Sequence, residues 1–264
     1  MKFDTIKTVT NGAAELAYGV CDPKTQSAPT ICLIASTGRG ADDFVHLAHE
    51  LTARGFRVLV PWPRGMAPSN GPLEDIDFHD LAADVVAILQ AEPSATGTIV
   101  AGHAYGCWIA RTVAQDRPDL IDGLALIAAG GGTWPKELSE AINVAMSYEE
   151  PEDKRLAALQ LAFFAPDHDP RPYLTGWNGD LVIAQRAARA RTDRDTWWPS
   201  GTAPILDIVG LQDPFRPADA RDVYVKEFPN RVTLITVDGA SHALPDELPE
   251  EVATQLANWA AQAL

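Results

Sequence analysis

Thr98-Ile-Val-Ala-Gly-His-Ala-Tyr-Gly106 is the stretch on which the fold turns. Thr98 to Ala101 form an apolar run that reads as a buried strand. After Gly102-His103-Ala104-Tyr105-Gly106 a helical pattern begins at once, with Cys107, Ile109, Ala110, Val113 and Ala114 on its apolar positions. A strand that passes into a helix through Gly-x-x-x-Gly has the shape of a nucleophile elbow. Its glycines let strand and helix crowd together, and its central residue sits strained at the tip, above a helix N-terminus. The central residue here is Ala104, whose methyl group cannot attack anything.

Working outward, the flanking segments alternate between apolar strands and helices. Ile6–Val9 and Leu16–Val20 flank Asn11-Gly12 and predict a hairpin. Thr30–Ala35 and Phe56–Val60 read as buried strands. Helical periodicity covers 42–54 and 78–89, and Gly123–Ala128 is a further strand. Near-continuous apolar strands alternating with helices predict a doubly wound, mostly parallel sheet covered on both faces.

After Gly130-Gly131-Gly132 the alternation stops. Residues 133–202 hold no strand pattern and predict helices at about 136–148, 152–164 and 179–191. The segment carries Trp134, Trp177, Trp197 and Trp198. It reads as a helical cap inserted into a core made of residues 1–132 and 203–264. The alternation returns with strands at 204–209 and 231–237, a helix near 217–227 and a last helix from about 247 to 263.

Bulk composition narrows the function classes. The chain has 264 residues, 36 acidic and 21 basic, for a formal net charge of −15. Such a surface repels nucleic acid and anionic membranes, so neither is expected as a partner. No apolar run approaches the ~20 residues of a membrane span. Three scattered cysteines, Cys21, Cys32 and Cys107, predict free thiols in a reducing compartment. Met1-Lys2-Phe3-Asp4 lacks a signal-peptide apolar region, so the expected location is cytoplasmic. No nucleotide, metal or flavin motif is present, and no cofactor is expected; composition does not indicate the oligomeric state.

Four landmarks, in order, resemble the α/β-hydrolase-fold superfamily. Arg64-Gly65 and Ser69 are similar to its D-x-R-G-x-G-x-S loop, with Trp62 and Ala67 in place of the Asp and the second Gly. Gly102-His-Ala-Tyr-Gly106 stands at its elbow. Asp213 follows the strand ending Val209-Gly-Leu-Gln, where the family places its triad acid. His242, in Asp238-Gly-Ala-Ser-His242, stands at its triad histidine. The resemblance implies an α/β-hydrolase fold in which His242 is the base and Asp213 holds its tautomer. It further implies an oxyanion hole built from the backbone N–H groups of Thr37 and Tyr105. Trp134 and Trp177 are the expected substrate-binding residues of the cap. His103 is expected to pack or hydrogen-bond locally, and His46, His49, His79 and His168 share no metal-ligand spacing.

Ala104 leaves three readings open. It is a Ser→Ala change in a serine hydrolase; or it is native and His242 with Asp213 acts as a base dyad, as in the fold's cofactor-free dioxygenases and lyases, or activates water; or the chain is a silent small-molecule binder. Ser36 to Phe44 together with an Ala-centred elbow resembles a bacterial subgroup of such sequences that carries Ala naturally. Cys107, nearly one helical turn past the tip, does not replace the nucleophile. The expected substrate is a small, largely apolar carbonyl compound of ester or lactone type.

Overall fold

The computed structural model describes residues 1–24, 27–132 and 135–264. Its centre is an eight-stranded sheet in the order β1-β2-β4-β3-β5-β6-β7-β8. The strands are β1 (Thr5–Asn11), β2 (Ala14–Cys21), β3 (Thr30–Ile34), β4 (Arg57–Pro61), β5 (Thr98–His103), β6 (Gly123–Ile127), β7 (Ile205–Gly210) and β8 (Val232–Val237). A two-residue Gly12-Ala13 turn closes the antiparallel β1–β2 hairpin, with Asn11 paired to Ala14, and β2 meets β4 antiparallel. From β4 to β8 every pairing is parallel.

Side-chain alternation explains why the sheet is covered twice. Ile31, Leu33, Val58 and Val60 point into a core with Leu47 and Leu51 of α1 (Val45–Ala53) and Val252, Leu256 and Trp259 of α9 (Pro249–Ala263). Their strand neighbours Cys32, Ile34 and Leu59 face the other way, onto Leu81, Val85 and Ile88 of α2 (Phe78–Ala91) and Ile109 and Val113 of α3 (Gly106–Asp116). Each fully buried Leu, Ile or Val contributes about 1.5–3 kcal/mol of transfer free energy, so period-two burial on both faces commits each strand to one register. β3 runs on through α1 to β4 on one side, while β5 runs through α3 to β6 on the other. Connections therefore diverge between β3 and β5, and loops there open a crevice at the strands' carboxyl ends.

Among the described residues, 135–202 contain helices and no strand. These are α4 (Lys136–Met146), α5 (Glu152–Ala162) and α6 (Gly179–Arg191), with short 3₁₀ turns between. Their apolar faces form a third core in which Leu138, Leu159, Phe163 and Tyr173 pack with Phe215 and Ala243. The last two come from the loops that carry Asp213 and His242, so this segment is seated on those loops.

One element differs from expectation. The helix predicted near 217–227 is a 3₁₀ turn at Ala218–Ala220 followed by the short α7 (Val223–Glu227). Arg216 is the cause: its Nε donates to the Ala220 carbonyl and its Nη2 to the Arg221 carbonyl, both at 2.8 Å. Those carbonyls are drawn to a buried guanidinium that also pairs with Asp207. A four-residue helix, α8 (Leu244–Glu247), follows His242; it holds Pro245 in its first turn and ends two residues before Pro249, too short for a periodic signal.

Candidate active site

Ala104 stands at the tip between β5 and α3 with φ +50°, left-handed backbone that a residue with a side chain rarely adopts. Its N–H donates to the Ile127 carbonyl and its carbonyl accepts from Cys107 N–H, both at 3.0 Å, which holds the turn. The flanking glycines are required by space. A Cβ on Gly102 would lie 2.2 Å from the Gly106 oxygen, and one on Gly106 would lie 2.2 Å from the Ile34 oxygen. Strand, turn and helix thus pack backbone against backbone, as the Gly-x-x-x-Gly spacing predicts.

Asp213 sits in a turn just after β7, and its Oδ1 accepts the Phe215 N–H at 2.8 Å. Oδ2 faces Nδ1 of His242 at 2.9 Å, with both residues 3 % exposed or less. Nδ1 therefore carries its proton toward the carboxylate and leaves Nε2 as the basic nitrogen. Close backbone approach makes the pairing possible, since Gly210 lies against the Ala240 and Ser241 carbonyls, where a Cβ would come within 2.6 Å. Two further groups clamp the histidine loop. Glu247 accepts from Ser241 N–H at 2.7 Å and from Ala165 N–H at 2.6 Å, and burial raises its pKa. His103 Nε2 meets the His242 carbonyl at 2.7 Å. This corrects the expectation of a local partner for His103: its side chain bonds across 139 residues of sequence.

Burial, and then the neighbouring His242, push the His103 pKa down to about 3. His103 is therefore neutral in the native state and donates from Nε2. The unfolded chain binds a proton below pH 6.5 that the native chain refuses, so stability falls as pH drops from 6.5 toward 3. Between pH 6.5 and 4.5 this group should cost roughly 2–3 kcal/mol. His103→Gln keeps a donor for the His242 carbonyl and does not titrate. Its urea midpoint should fall less over that range than the wild-type midpoint does.

A cavity of about 370 Å³ brings these parts together. Ser36, Thr37, Ala104, Tyr105, His242 and Trp177 all line it. Among the described residues, neither the Thr37 nor the Tyr105 backbone N–H has a hydrogen-bond partner. For Tyr105 this follows from its place at the start of α3, where helical donors have no intrahelical acceptor. Its buried hydroxyl, whose pKa burial raises well above the usual range, donates to the Gln185 carbonyl at 3.0 Å and ties the tip to α6. Trp177 is fixed by its Nε1 donating to the Tyr173 carbonyl at 2.6 Å and by Arg39 stacked 4.6 Å from its ring centre. The other expected tryptophan, Trp134, lies outside the described residues.

Other singled-out groups serve the frame. Arg64 grips Asp84 with Nε and Nη2, each at 2.6 Å, and Ser69 Oγ bridges Ala17 N–H and the Trp62 carbonyl at 2.8 Å. Cys107 is buried, donates to the Gly102 carbonyl at 3.0 Å, and burial pushes its thiol up to about 12, so no thiolate is available. Among the described residues no group of three or more His, Cys, Asp or Glu side chains is placed to hold a metal ion. No helix among them is long and apolar enough to cross a membrane.

Among the cavity side chains that the sequence reading did not single out are Trp108, Phe163, Arg186 and Arg189. Trp108 stands four positions past Ala104 on the adjoining helix, a spacing that could have found it. Arg186 and Arg189 had no such signal, because nothing in α6 says which strand ends it crosses.

Residues 33–255 match the Alpha/beta hydrolase family, and the chain belongs to it. Among curated proteins it resembles Protein ABHD8 of Bos taurus, 26% identical over 214 residues that span 76% of this chain. The chain spans about half the length of that relative, 49%. Among solved structures it superposes on an esterase from Thermogutta terrifontis with TM-score 0.77 and 19% identity, covering 98% of this chain and 99% of that one. It also superposes on the enol-lactonase from Burkholderia xenovorans with TM-score 0.73 and 18% identity, covering 97% and 100%.

Proposed function

We propose that this protein is a hydrolase-type enzyme for a small ester or lactone, in which His242 and Asp213 activate water beside Ala104. One observation carries the reading: Ala104, His242, Thr37 and Tyr105 line a single cavity, and the backbone N–H groups of Thr37 and Tyr105 have no acceptor among the described residues. The esterase and lactonase neighbours support it by analogy of fold.

In this scheme His242 Nε2 takes a proton from water, and the water oxygen attacks the carbonyl carbon. The carbonyl π pair becomes an oxyanion that accepts from the Thr37 and Tyr105 N–H groups. The intermediate then expels the alkoxide, to which His242 returns the proton. The products are a carboxylic acid and an alcohol, and the histidine ends neutral. The segment 133–202 acts as the cap, with Phe163 and Trp177 giving the cavity apolar wall. The expected partner is the small-molecule substrate, with neither nucleic acid nor membrane. Three buried free thiols favour a cytoplasmic setting.

Ala104→Ser tests the assembly. The new hydroxyl should enter the Asp213–His242 relay, and the variant should label with a fluorophosphonate probe and release nitrophenol from short aryl esters faster than wild type. A serine variant that stays unlabelled and inert, in a chain that still melts as wild type, would defeat the proposal.

A further inference from the structure

Two arginines line the cavity that Ala104 and His242 share. Arg186 and Arg189, three apart on α6, both line it and both are exposed. Among the described residues neither forms an ion pair. Arg39, Arg54, Arg57, Arg64, Arg191 and Arg216 each pair with a carboxylate. Arg111, Arg155, Arg221 and Arg231 also lack a carboxylate, but each donates to backbone carbonyls; among the described residues Arg186 and Arg189 have no such bond.

Their neighbours hold these two in place without neutralising them. Arg186 Nη2 donates to Asn143 Oδ1 at 2.8 Å. Arg189 stacks 4.8 Å from the ring centre of Trp108, itself a wall of the cavity. Cation–π stacking and an amide contact orient a guanidinium while its remaining N–H groups stay available. No Asp or Glu is among the described residues lining the cavity. The cavity therefore has a reacting end at Ala104 and His242, apolar wall, and a cationic side on α6.

We infer that Arg186 and Arg189 receive an anionic oxygen group, a carboxylate or a phosphate, on the substrate. This rests on the reading of the cavity as the site of carbonyl chemistry, and it narrows the substrate to a small anionic ester or lactone. Planar guanidiniums match the oxygen geometry of either anion.

Calorimetric titration of the intact protein with benzoate, phenyl phosphate and benzyl alcohol tests the inference without needing turnover. At least one anion should bind more tightly than benzyl alcohol, and the tighter of the two identifies the group. Arg186→Gln/Arg189→Gln should weaken that anion at least about tenfold, the scale of losing a charge-assisted bond, and leave benzyl alcohol within about twofold. Arg186→Lys/Arg189→Lys, which keeps both charges, should retain most of the affinity, and added salt should weaken the anion alone. His242→Ala should bind the anion as wild type does. Benzyl alcohol binding as tightly as both anions, or anion binding indifferent to the Gln pair in a normally melting variant, would overturn the inference. Turnover of 4-acetoxybenzoate against its methyl ester separates the two ideas. Arginine-dependent anion binding with neither ester cleaved leaves this inference standing and sinks the hydrolase reading. Equal cleavage of both esters, unaffected by the Gln pair, does the reverse.

Discussion

His242→Ala is expected to lower kcat/KM for ester hydrolysis by about 10²- to 10⁴-fold, the range supplied by a positioned general base. Ligand affinity should stay close to wild type, whereas the melting temperature should fall, because the buried Oδ2 of Asp213 loses its partner. Asp213→Asn should reproduce most of the loss for a derivable reason. Oδ1 of Asp213 accepts the Phe215 N–H, so the amide oxygen of an asparagine must stay there. Its NH₂ then faces Nδ1 of His242 across the 2.9 Å contact and donates to it. That places the remaining ring proton on Nε2, the nitrogen that has to accept one. Steady-state kinetics on an aryl ester, with ligand titration beside them, check both variants. Unchanged turnover in His242→Ala would remove the base from the mechanism, and unchanged ligand affinity with no wild-type turnover would leave a binding protein.

Gly106→Ala should destabilise the fold by at least about 3 kcal/mol, a large share of the ~5–15 kcal/mol that holds a domain folded. The added Cβ would lie 2.2 Å from the Ile34 oxygen and 2.7 Å from the Ala35 oxygen. Both are backbone atoms of β3 and its following loop, so relief requires α3 to move off the sheet, beyond the usual range of core overpacking. That loop also carries Thr37, so activity should fall further than stability alone explains. Gly179→Ala is the control. It opens α6, has a negative φ and meets nothing within 4 Å. It should be neutral or stabilising by up to about 1 kcal/mol through the unfolded chain. Urea midpoints of the two variants decide the matter, and equal midpoints would mean that the close approach at Gly106 is not needed.

Legibility of the site varied with how far each contact reaches along the chain. The strand–turn–helix at Ala104 is legible in the sequence, because its strand, glycines and helix are contiguous and each obeys a local period. Asp213 and His242 were found from their order along the chain, and the structure joins them across 29 residues. The bond from His103 to the His242 carbonyl, by contrast, spans a separation at which no periodicity survives. The broken helix near 217–227 shows the same limit: its apolar spacing is helical, but a buried arginine takes the carbonyls a longer helix would use.

The parallel sheet, its hairpin edge, the helical insertion and the spacing of the tip could all be read from residue order, because near-neighbour sterics and the burial of period-two and period-3.6 apolar faces act within a dozen residues. The charge of the cavity could not. It arises because α6 is held across the strand ends, with the Gln185 carbonyl accepting from Tyr105 and its Oε1 accepting from Gly38 N–H at 2.8 Å. Those bonds span 80 and 147 residues. Only the packed fold brings Arg186 and Arg189 to the cavity that Ala104 lines, and with them the sign of charge that the site offers a substrate.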